Sequence, residues 1–215
     1  MPRIPLTSTA GRLAALFDPG TGEPPRSGPT GALVCHPHPL HGGTMDNKVV
    51  FSLAKVFRER GLATLRFNFR GAGGSEGEHD GGRGEREDVA AALDALASRC
   101  DGPLLVAGFS FGSWVGLSTG LEDPRVVALM AVAPPVNHYD YGAVASTGLP
   151  LAVAYARDDE LVPASAVEAW LATCRQPPRI TPVVGASHLF HGKLAPLRAA
   201  AGSFLTSLQE PPKNG

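Results

Sequence analysis

A serine lies at the centre of residues 108–112, Gly-Phe-Ser-Phe-Gly, which have the G-x-S-x-G spacing. This spacing is typical of a sharp turn from a strand into a helix, with the hydroxyl of the central serine, here Ser110, exposed above a sheet. Glycine is needed two residues away on either side because larger side chains would collide in the turn. The helix that follows points its N-terminus at the serine and favours the negative charge that develops in acyl transfer. The pentapeptide therefore predicts a nucleophilic Ser110.

The residues around Ser110 have the patterns that such a turn requires. An apolar run at 104–109 predicts the strand before it, and residues 112–121 predict the helix after it. The alternative is a glycine-flanked turn whose serine only caps the helix. A strand, a turn and a helix in register favour the nucleophile, and the backbone N–H of Phe111 is then one donor of an oxyanion hole.

Histidines after Ser110 are the candidates for a general base. In this arrangement the order along the chain is serine, acid, histidine. His188 follows the predicted strand at 180–184 by a short loop, which is where a base at the carboxyl end of the last strand should lie. His191 is a close rival, whereas His138 comes before the strand that should carry the acid. We therefore expect His188 to be the base.

Two neighbouring carboxylates are candidates for the acid that orients this base. Asp158 and Asp159 both follow the predicted strand at 151–156. One of them should accept the imidazole N–H and stabilise the imidazolium that forms in the transition state. The other is expected to be a solvated loop residue or a cap for the helix that begins near Pro163.

Strands and helices alternate along the chain that carries these residues. The predicted strands cover residues 4–8, 12–17, 32–35, 62–67, 104–109, 126–132, 151–156 and 180–184. The predicted helices cover residues 47–60, 85–99, 112–121, 164–174 and 193–208. This alternation predicts an α/β fold: a mostly parallel sheet with helices on both faces and ligands outside the carboxyl ends of the strands. We expect a single domain over residues 1–215 with a polar tail at 210–215 and, because the longest insertion covers only 134–148, no large lid domain.

Composition and charge argue against several kinds of partner. The net charge is −1 and the basic residues are scattered, whereas a nucleic-acid-binding protein normally shows a basic stripe. Residues 1–5 lack the apolar segment of a signal peptide, and no apolar run is long enough to span a membrane. Cys35, Cys100 and Cys174 lie in unrelated contexts, which is typical of free thiols in a reducing compartment. We expect a cytoplasmic protein that acts on a small molecule, without nucleic-acid or membrane partners.

Three histidines after the strand at 32–35 suggest a metal site as an alternative. His36, His38 and His41 form an H-x-H-x-x-H cluster, and imidazole is the commonest protein ligand of zinc. Against a metal-dependent hydrolase, no further cluster of ligands stands out downstream, and the motif around Ser110 would have no role. We therefore expect these histidines to pack and hydrogen-bond within their loop, and we predict neither a metal nor a cofactor.

Two other classes of protein fit the sequence less well. The glycine-rich loop at 71–84 follows a strand, as in dinucleotide-binding proteins, but G-x-G-x-x-G starting at Gly71 requires glycine where Glu76 stands. A non-catalytic binding protein could share the fold, since fold does not fix function. The presence of a serine, an acid and a histidine in the right order argues against it.

Three loops resemble those of known hydrolases. Residues 157–163, Arg-Asp-Asp-Glu-Leu-Val-Pro, look like the acid loop of α/β-hydrolases, and this alignment selects Asp159. Residues 68–75 are similar to the loop after the fourth strand in that superfamily, with Asn68 where Asp is more usual. Residues 36–48 begin with His-Pro-His-Pro-Leu-His-Gly-Gly and resemble a small bacterial α/β-hydrolase family that is related to dienelactone hydrolases and serine carboxylesterases.

The resemblance extends over nearly the whole chain, roughly residues 4–208. It implies an α/β-hydrolase fold with an eight-stranded, largely parallel sheet, and serine hydrolase chemistry without a cofactor. In relatives the second oxyanion donor follows a His-Gly pair at the end of a strand, and the matching residues here are His36, Pro37 and His38. Because Pro37 has no N–H, His38 is the expected donor, with Leu40 as the rival.

These observations predict a serine hydrolase that cleaves small acyl esters or thioesters through an acyl-enzyme intermediate. Ser110 stands where dienelactone hydrolases have cysteine, so the substrates of that family are not implied. Only residues 134–148 could overhang the site, and Val136, His138, Tyr139 and Tyr141 within them predict a wall of mixed character. Because a lipase needs a large apolar cover to handle long chains, we expect short acyl chains to be preferred.

Overall fold

The computed structural model describes residues 2–23 and 25–209. The strands in this part of the chain are β1 (Arg3–Ile4), β2 (Thr7–Ser8), β3 (Gly11–Arg12), β4 (Ala15–Asp18), β5 (Gly31–Cys35), β6 (Ala63–Phe67), β7 (Leu104–Phe109), β8 (Val126–Val132), β9 (Leu151–Ala156) and β10 (Arg179–Val183). The helices are α1 (Lys48–Glu59), α2 (Arg83–Ala97), α3 (Phe111–Gly120), α4 (Gly142–Ala145), α5 (Ala164–Leu171) and α6 (Leu194–Gln209), with a 3-10 turn at Pro39–His41. The tail expected at 210–215 lies outside the described residues. None of the helices described is both long and apolar enough to cross a membrane.

The largest sheet has eight strands in the order β1-β4-β6-β5-β7-β8-β9-β10. All neighbouring strands from β6 to β10 are parallel, whereas β4 is antiparallel to both β1 and β6. Helices α2, α3 and α5 pack on one face of the sheet, and α1 and α6 pack on the other. The predicted eight-stranded, mostly parallel sheet with helices on both faces is therefore confirmed.

The central strands are buried and mostly apolar because helices cover both faces of the sheet. Strands β5, β6, β7 and β9 are buried at every residue. Leu93 of α2 and Val115 of α3 belong to the core on one face. Phe57 of α1 and Phe204 of α6 belong to the core on the other. Each such side chain stabilises the fold by about 1.5–3 kcal/mol, which fixes the sheet as a rigid support for the loops at its carboxyl edge.

The N-terminal segment differs from the prediction of two continuous strands at 4–8 and 12–17. It forms two short antiparallel pairs instead, β1 with β4 and β2 with β3. Pro5 separates β1 from β2 and cannot donate to a strand ladder. The inner pair forms a separate two-stranded sheet, and the N–H of Leu13 bonds to the carbonyl of Leu6 at 2.8 Å between the two pairs.

Most helix boundaries lie within a few residues of the predicted ones. Helix α1 begins after Asn47, whose side-chain oxygen accepts a hydrogen bond from the N–H of Val49 at 2.9 Å. Helix α5 ends at Leu171 rather than at residue 174, because the chain leaves it in a turn that is closed by the N–H of Cys174 bonding to Leu171. The short helix α4 lies within residues 134–148, where none was predicted.

A buried ion pair ties the glycine-rich loop after β6 to helix α2. Arg70 donates to both carboxylate oxygens of Asp88, from Nη2 at 2.9 Å and from Nε at 3.1 Å. Ser8 of β2 donates to the same carboxylate at 2.7 Å. Because Asp88 is fully buried, these charge-assisted bonds compensate its loss of hydration and fix the start of the loop against the helix.

Candidate active site

Ser110 lies in the turn between β7 and α3, at the carboxyl edge of the sheet. Its backbone has φ 52° and ψ −125°, a positive-φ conformation that residues other than glycine rarely adopt. Strain of this kind costs about 1–3 kcal/mol and persists only where the surrounding structure imposes it. The Ser110 N–H bonds to the carbonyl of Val132 at 2.8 Å. A side chain at Gly108 would collide with the backbone of Gly112, which explains the small residues of the motif.

A chain of hydrogen bonds joins Ser110 to His188 and Asp159. The Nε2 atom of His188 lies 2.9 Å from the Oγ atom of Ser110. The Nδ1 atom of the same ring lies 2.9 Å from Oδ2 of Asp159 and 3.1 Å from Oδ1. A carboxylate accepts, so Nδ1 carries the proton and Nε2 is free to accept from the serine hydroxyl. The structure thus brings these three predicted residues together in the order that nucleophilic chemistry requires.

The carboxylate of Asp159 is held by its own loop as well as by His188. Its Oδ1 atom accepts hydrogen bonds from the N–H groups of Leu161 and Val162, each at 2.9 Å. Burial alone would raise the pKa of this carboxyl, but the hydrogen bonds from His188 and from the two backbone groups outweigh burial and lower the pKa below its ordinary value. Asp159 therefore stays ionised and keeps the His188 ring in one orientation.

The two carboxylates beside Asp159 hold the backbone of the histidine loop. Asp158 accepts a hydrogen bond from the N–H of Gly185 at 2.8 Å. Glu160 accepts one from the N–H of His188 at 3.0 Å. Sequence reasoning did not single out Glu160, although it lies within the acid-loop motif. Three consecutive acidic side chains thus fix one loop, and only the middle one contacts the imidazole.

His191 and His138, the other candidates for the base, are both exposed. His138 lines the cleft in front of Ser110. Within the described residues, neither of them forms a hydrogen bond or an ion pair with Asp159, so the geometry at the serine favours His188.

The two residues expected to supply oxyanion donors lie together beside the serine. Phe111 is the first residue of α3, and its ring lies 4.8 Å from that of His38, between centroids. Both residues line the same cleft as Ser110. The rival donor, the N–H of Leu40, bonds to Nδ1 of His38 at 3.2 Å and is therefore engaged. Burial, and next the neighbouring histidines, lower the pKa of His38, in agreement with its role as an acceptor there.

His36 is fully buried and uses both of its ring nitrogens within the protein. Its Nε2 atom accepts from the N–H of Phe69 at 2.9 Å, and Nδ1 lies 2.6 Å from the carbonyl of Pro37. Burial lowers the pKa of His36 to about 4. Coordination of a metal by His36 would break these bonds, and the described residues contain no group of three or more potential ligand side chains placed to hold a metal ion.

Ser110 opens onto a cleft of about 480 Å³. Its other lining residues are His38, His41, Phe111, Pro135, His138, Tyr139, Leu161, Val162 and His188. The predicted wall is correct for His138 and Tyr139. It is wrong for Tyr141, which is buried with its hydroxyl 2.7 Å from Oγ of Ser113. Val136 likewise packs against the core rather than lining the cleft. Two further apolar residues of the wall, Leu161 and Val162, come from the acid loop, which sequence reasoning read only for its carboxylates.

A mostly parallel, helix-flanked sheet with a serine on a strand–helix turn is the architecture of the α/β serine hydrolases. Residues 38–147 match the family described as serine aminopeptidase, S33. The chain belongs to this family of α/β-hydrolases. The narrower resemblance to dienelactone hydrolases stays a prediction.

Several relatives are similar over nearly their whole length. The chain is 34% identical to the uncharacterized protein RP471 of Rickettsia prowazekii, across 97% of this chain and 90% of that protein. An alpha-beta serine hydrolase homologue from Coxiella burnetii is 37% identical and superposes with a TM-score of 0.86, covering 95% of this chain and 97% of that one. XC6422 from Xanthomonas campestris, described as an a/b serine hydrolase without lid, is 34% identical and superposes with a TM-score of 0.87. The match covers 98% of this chain and 96% of that one.

Proposed function

We propose that the protein is a carboxylesterase-type serine hydrolase that cleaves small acyl esters or thioesters. In this proposal Ser110 is the nucleophile, His188 the general base and Asp159 its partner. The observation that carries it is the hydrogen-bonded chain from Asp159 through His188 to Ser110, at the floor of an open cleft.

Acylation begins when Oγ of Ser110 attacks the carbonyl carbon of the substrate. The hydroxyl proton passes to Nε2 of His188, which lies 2.9 Å away. The imidazolium that forms is stabilised by Asp159, which is ionised and accepts the Nδ1–H. The carbonyl oxygen becomes an oxyanion and accepts hydrogen bonds from the backbone N–H groups of Phe111 and His38.

The tetrahedral intermediate then collapses with cleavage of the bond to the leaving group. His188 gives its proton to the departing alcohol or thiol, and the acyl group remains on Ser110. A water molecule attacks this acyl-enzyme with His188 again as base, and the carboxylic acid leaves as the serine hydroxyl is restored. Every proton in this cycle passes through His188, so no cofactor is required.

The open cleft supports small acyl groups as substrates. Residues 134–148 contribute Pro135, His138 and Tyr139 to its wall, while Tyr141 packs inward, so this segment forms a side of the cleft and not a cover. Each added methylene contributes about 0.8 kcal/mol only while it can be buried. Binding should therefore stop improving once the acyl chain extends beyond the cleft.

Labelling with a fluorophosphonate and hydrolysis of 4-nitrophenyl acetate test the proposal together. We expect one labelled residue and measurable turnover, both lost in Ser110→Ala, because removal of a nucleophile typically costs several orders of magnitude in kcat. Ser98→Ala is the matched control, since Ser98 is exposed at the end of α2. Labelling or turnover that survives in Ser110→Ala would overturn the assignment.

The cysteines support a reducing compartment, and we propose the cytoplasm. Cys35, Cys100 and Cys174 are all free thiols in the folded chain. Burial raises the pKa of all three thiols, most strongly that of Cys35, so they are poor nucleophiles and take no part in the proposed reaction.

A further inference from the structure

The glycine-rich loop between β6 and α2 has no role in the mechanism above, yet it reaches the active site. His79 on this loop packs its ring against that of His38, with 4.6 Å between centroids, and against that of Phe111, with 5.5 Å. These are the two residues whose backbone N–H groups are proposed to bind the oxyanion. One side chain therefore contacts both halves of that site.

A buried carboxylate holds His79. Glu85, in the first turn of α2, is fully buried, and its Oε1 atom lies 2.7 Å from Nδ1 of His79. Its two oxygens also accept the N–H groups of Asp80 at 3.1 Å and Gly82 at 2.8 Å. The Oε1 atom of Glu85 and Nδ1 of His79 are close enough to interact, although they are not aligned as in a directed hydrogen bond. Glu85 thus anchors both the ring and the backbone around it.

The loop has no room to shift towards α3. A side chain at Gly82, where φ is 103°, would collide with the ring of Trp114. Trp114 in turn stacks on Tyr139 with 4.2 Å between centroids and meets Phe111 edge to face. The ring of Phe111 is therefore enclosed by aromatic side chains, and the loop between β6 and α2 contributes two of them, Phe69 at its start and His79 near its end.

We propose that His79 is a positioning residue for the oxyanion site and that Glu85 acts through it. The inference rests on the proposed function. The two N–H donors belong to separate elements, the loop after β5 and the start of α3, so their relative placement depends on what packs between them. A displacement of about 1 Å near reacting atoms can cost roughly 100-fold in rate. Loss of the His79 ring should therefore weaken transition-state binding more than substrate binding.

The first experiment measures kcat and KM of His79→Ala with 4-nitrophenyl acetate, beside inhibition by a methyl trifluoromethyl ketone. Oγ of Ser110 adds to the carbonyl carbon of the ketone as its proton passes to His188, and the carbonyl oxygen becomes an oxyanion in the site. We expect kcat to fall by about 10- to 100-fold and the inhibition constant to rise by a similar factor, with KM changed less than about threefold. His79→Phe keeps an aromatic ring at this position, so its kcat should fall less than that of His79→Ala. Glu78→Ala is the matched control, since Glu78 is the exposed neighbour in the loop.

The second experiment tests the role of Glu85. Glu85→Gln should lower kcat in the wild-type background but add little in the His79→Ala background, because residues that act through one another are not additive. Circular dichroism and the thermal midpoint establish that each variant is folded. If His79→Ala does not fold, the same kinetic and inhibition measurements are made with His79→Gln and His79→Phe.

Wild-type kcat in folded His79→Ala would overturn the inference, and so would a fall in kcat without weaker binding of the ketone. Fully additive effects of the His79 and Glu85 substitutions would remove Glu85 from it. Failure of the proposed function has a different signature: no Ser110-dependent turnover in the wild-type protein. An active, Ser110-dependent enzyme that is indifferent to His79 would refute the positioning role alone.

Discussion

Asp158 and Asp159 are adjacent in the chain, but only Asp159 reaches the ring of His188. Asp159 accepts the Nδ1–H of the ring, whereas Asp158 bonds to the backbone N–H of Gly185. One carboxylate therefore orients the imidazole and the other positions the loop that carries it. The sequence pattern did not distinguish between the two aspartates until the resemblance of the Val-Pro motif selected Asp159, and the geometry gives them different hydrogen-bond partners.

Substitution of each aspartate by asparagine should separate these two functions. Asp159→Asn removes the charge that stabilises the imidazolium and allows the wrong ring tautomer, so kcat should fall by roughly 10⁴-fold. Asp158→Asn weakens one loop hydrogen bond and should cost about 1 kcal/mol of stability, with kcat within a few-fold of wild type. Steady-state kinetics with 4-nitrophenyl acetate and urea unfolding give both quantities. The reverse ranking would identify Asp158 as the catalytic partner.

Substitutions of His188 and His191, which lie in the same loop, should differ as sharply in their effect on catalysis. His188→Ala removes the only imidazole within hydrogen-bonding distance of the Ser110 hydroxyl in the described chain, and we expect a loss of several orders of magnitude in kcat/KM. His191→Ala changes an exposed side chain and should leave kcat/KM within about twofold. The rate of fluorophosphonate labelling reports the same difference without turnover. A large loss in His191→Ala with near-normal His188→Ala would exchange their roles.

Local patterns indicated that Ser110, His188 and one of two neighbouring aspartates would lie together, because each follows a short-range signal in the chain. The turn at Ser110 is specified by its own glycines, and the loops of Asp159 and His188 follow strands whose carboxyl ends meet in any parallel sheet. The family match supports serine hydrolase chemistry, whereas the individual roles stay predictions.

Contacts that depend on the path of a long loop could not be predicted. His79 reaches His38 along a loop in which several glycines adopt positive φ, including Gly77 and Gly82. The inward direction of Tyr141 likewise depends on α4, a helix too short to show periodicity. Neither the position of His79 nor the direction of Tyr141 can be predicted from neighbouring residues in the sequence, since both arise from packing between distant parts of the chain.

Stability should fall in mild acid because of His36. Burial lowers the pKa of His36 from 6.5 to about 4. The unfolded chain therefore binds a proton in this range while the folded chain does not, and stability declines as pH falls from about 6.5 towards 4. Between pH 7 and pH 5 this contributes about 2 kcal/mol. Urea unfolding at the two pH values measures it.

The control for this pH effect is His36→Gln, which cannot titrate. This variant should be less stable at pH 7, since it loses well-placed bonds to Phe69 and Pro37. Its stability should nevertheless change less between pH 7 and pH 5 than that of the wild type. An equal change in both proteins would assign the acid sensitivity to other groups.

The buried pair of Arg70 and Asp88 should matter far more for stability than an exposed pair on the same helix. Asp88→Ala removes the buried partner of the Arg70 guanidinium and leaves it the half-exposed Glu87 as a counter-ion, so we expect a loss of about 3–5 kcal/mol. Asp94→Ala is the matched control, because its side chain is 73% exposed and its pairing with Arg125 should contribute less than about 1 kcal/mol. Denaturant midpoints of the two variants give the comparison. Similar losses of stability in Asp88→Ala and Asp94→Ala would show that the buried Arg70–Asp88 pair contributes no more than an exposed one.

The last prediction concerns the length of the acyl chain. The cleft of about 480 Å³ ends in exposed residues, with Leu161 56% accessible at its wall, and no described segment covers it. Each methylene that fits should raise kcat/KM by up to about fourfold, which is the equivalent of 0.8 kcal/mol. A series of 4-nitrophenyl esters from two to sixteen carbons should therefore rise over the first few carbons and then level off or fall. Leu161→Ala should reduce the gain for the medium chains while leaving the acetate rate nearly unchanged, since the acetyl group is too small to depend on this outer wall. A steady rise to the longest ester would show that the exposed leucine continues into a longer acyl-binding surface, and the preference for small substrates would be wrong.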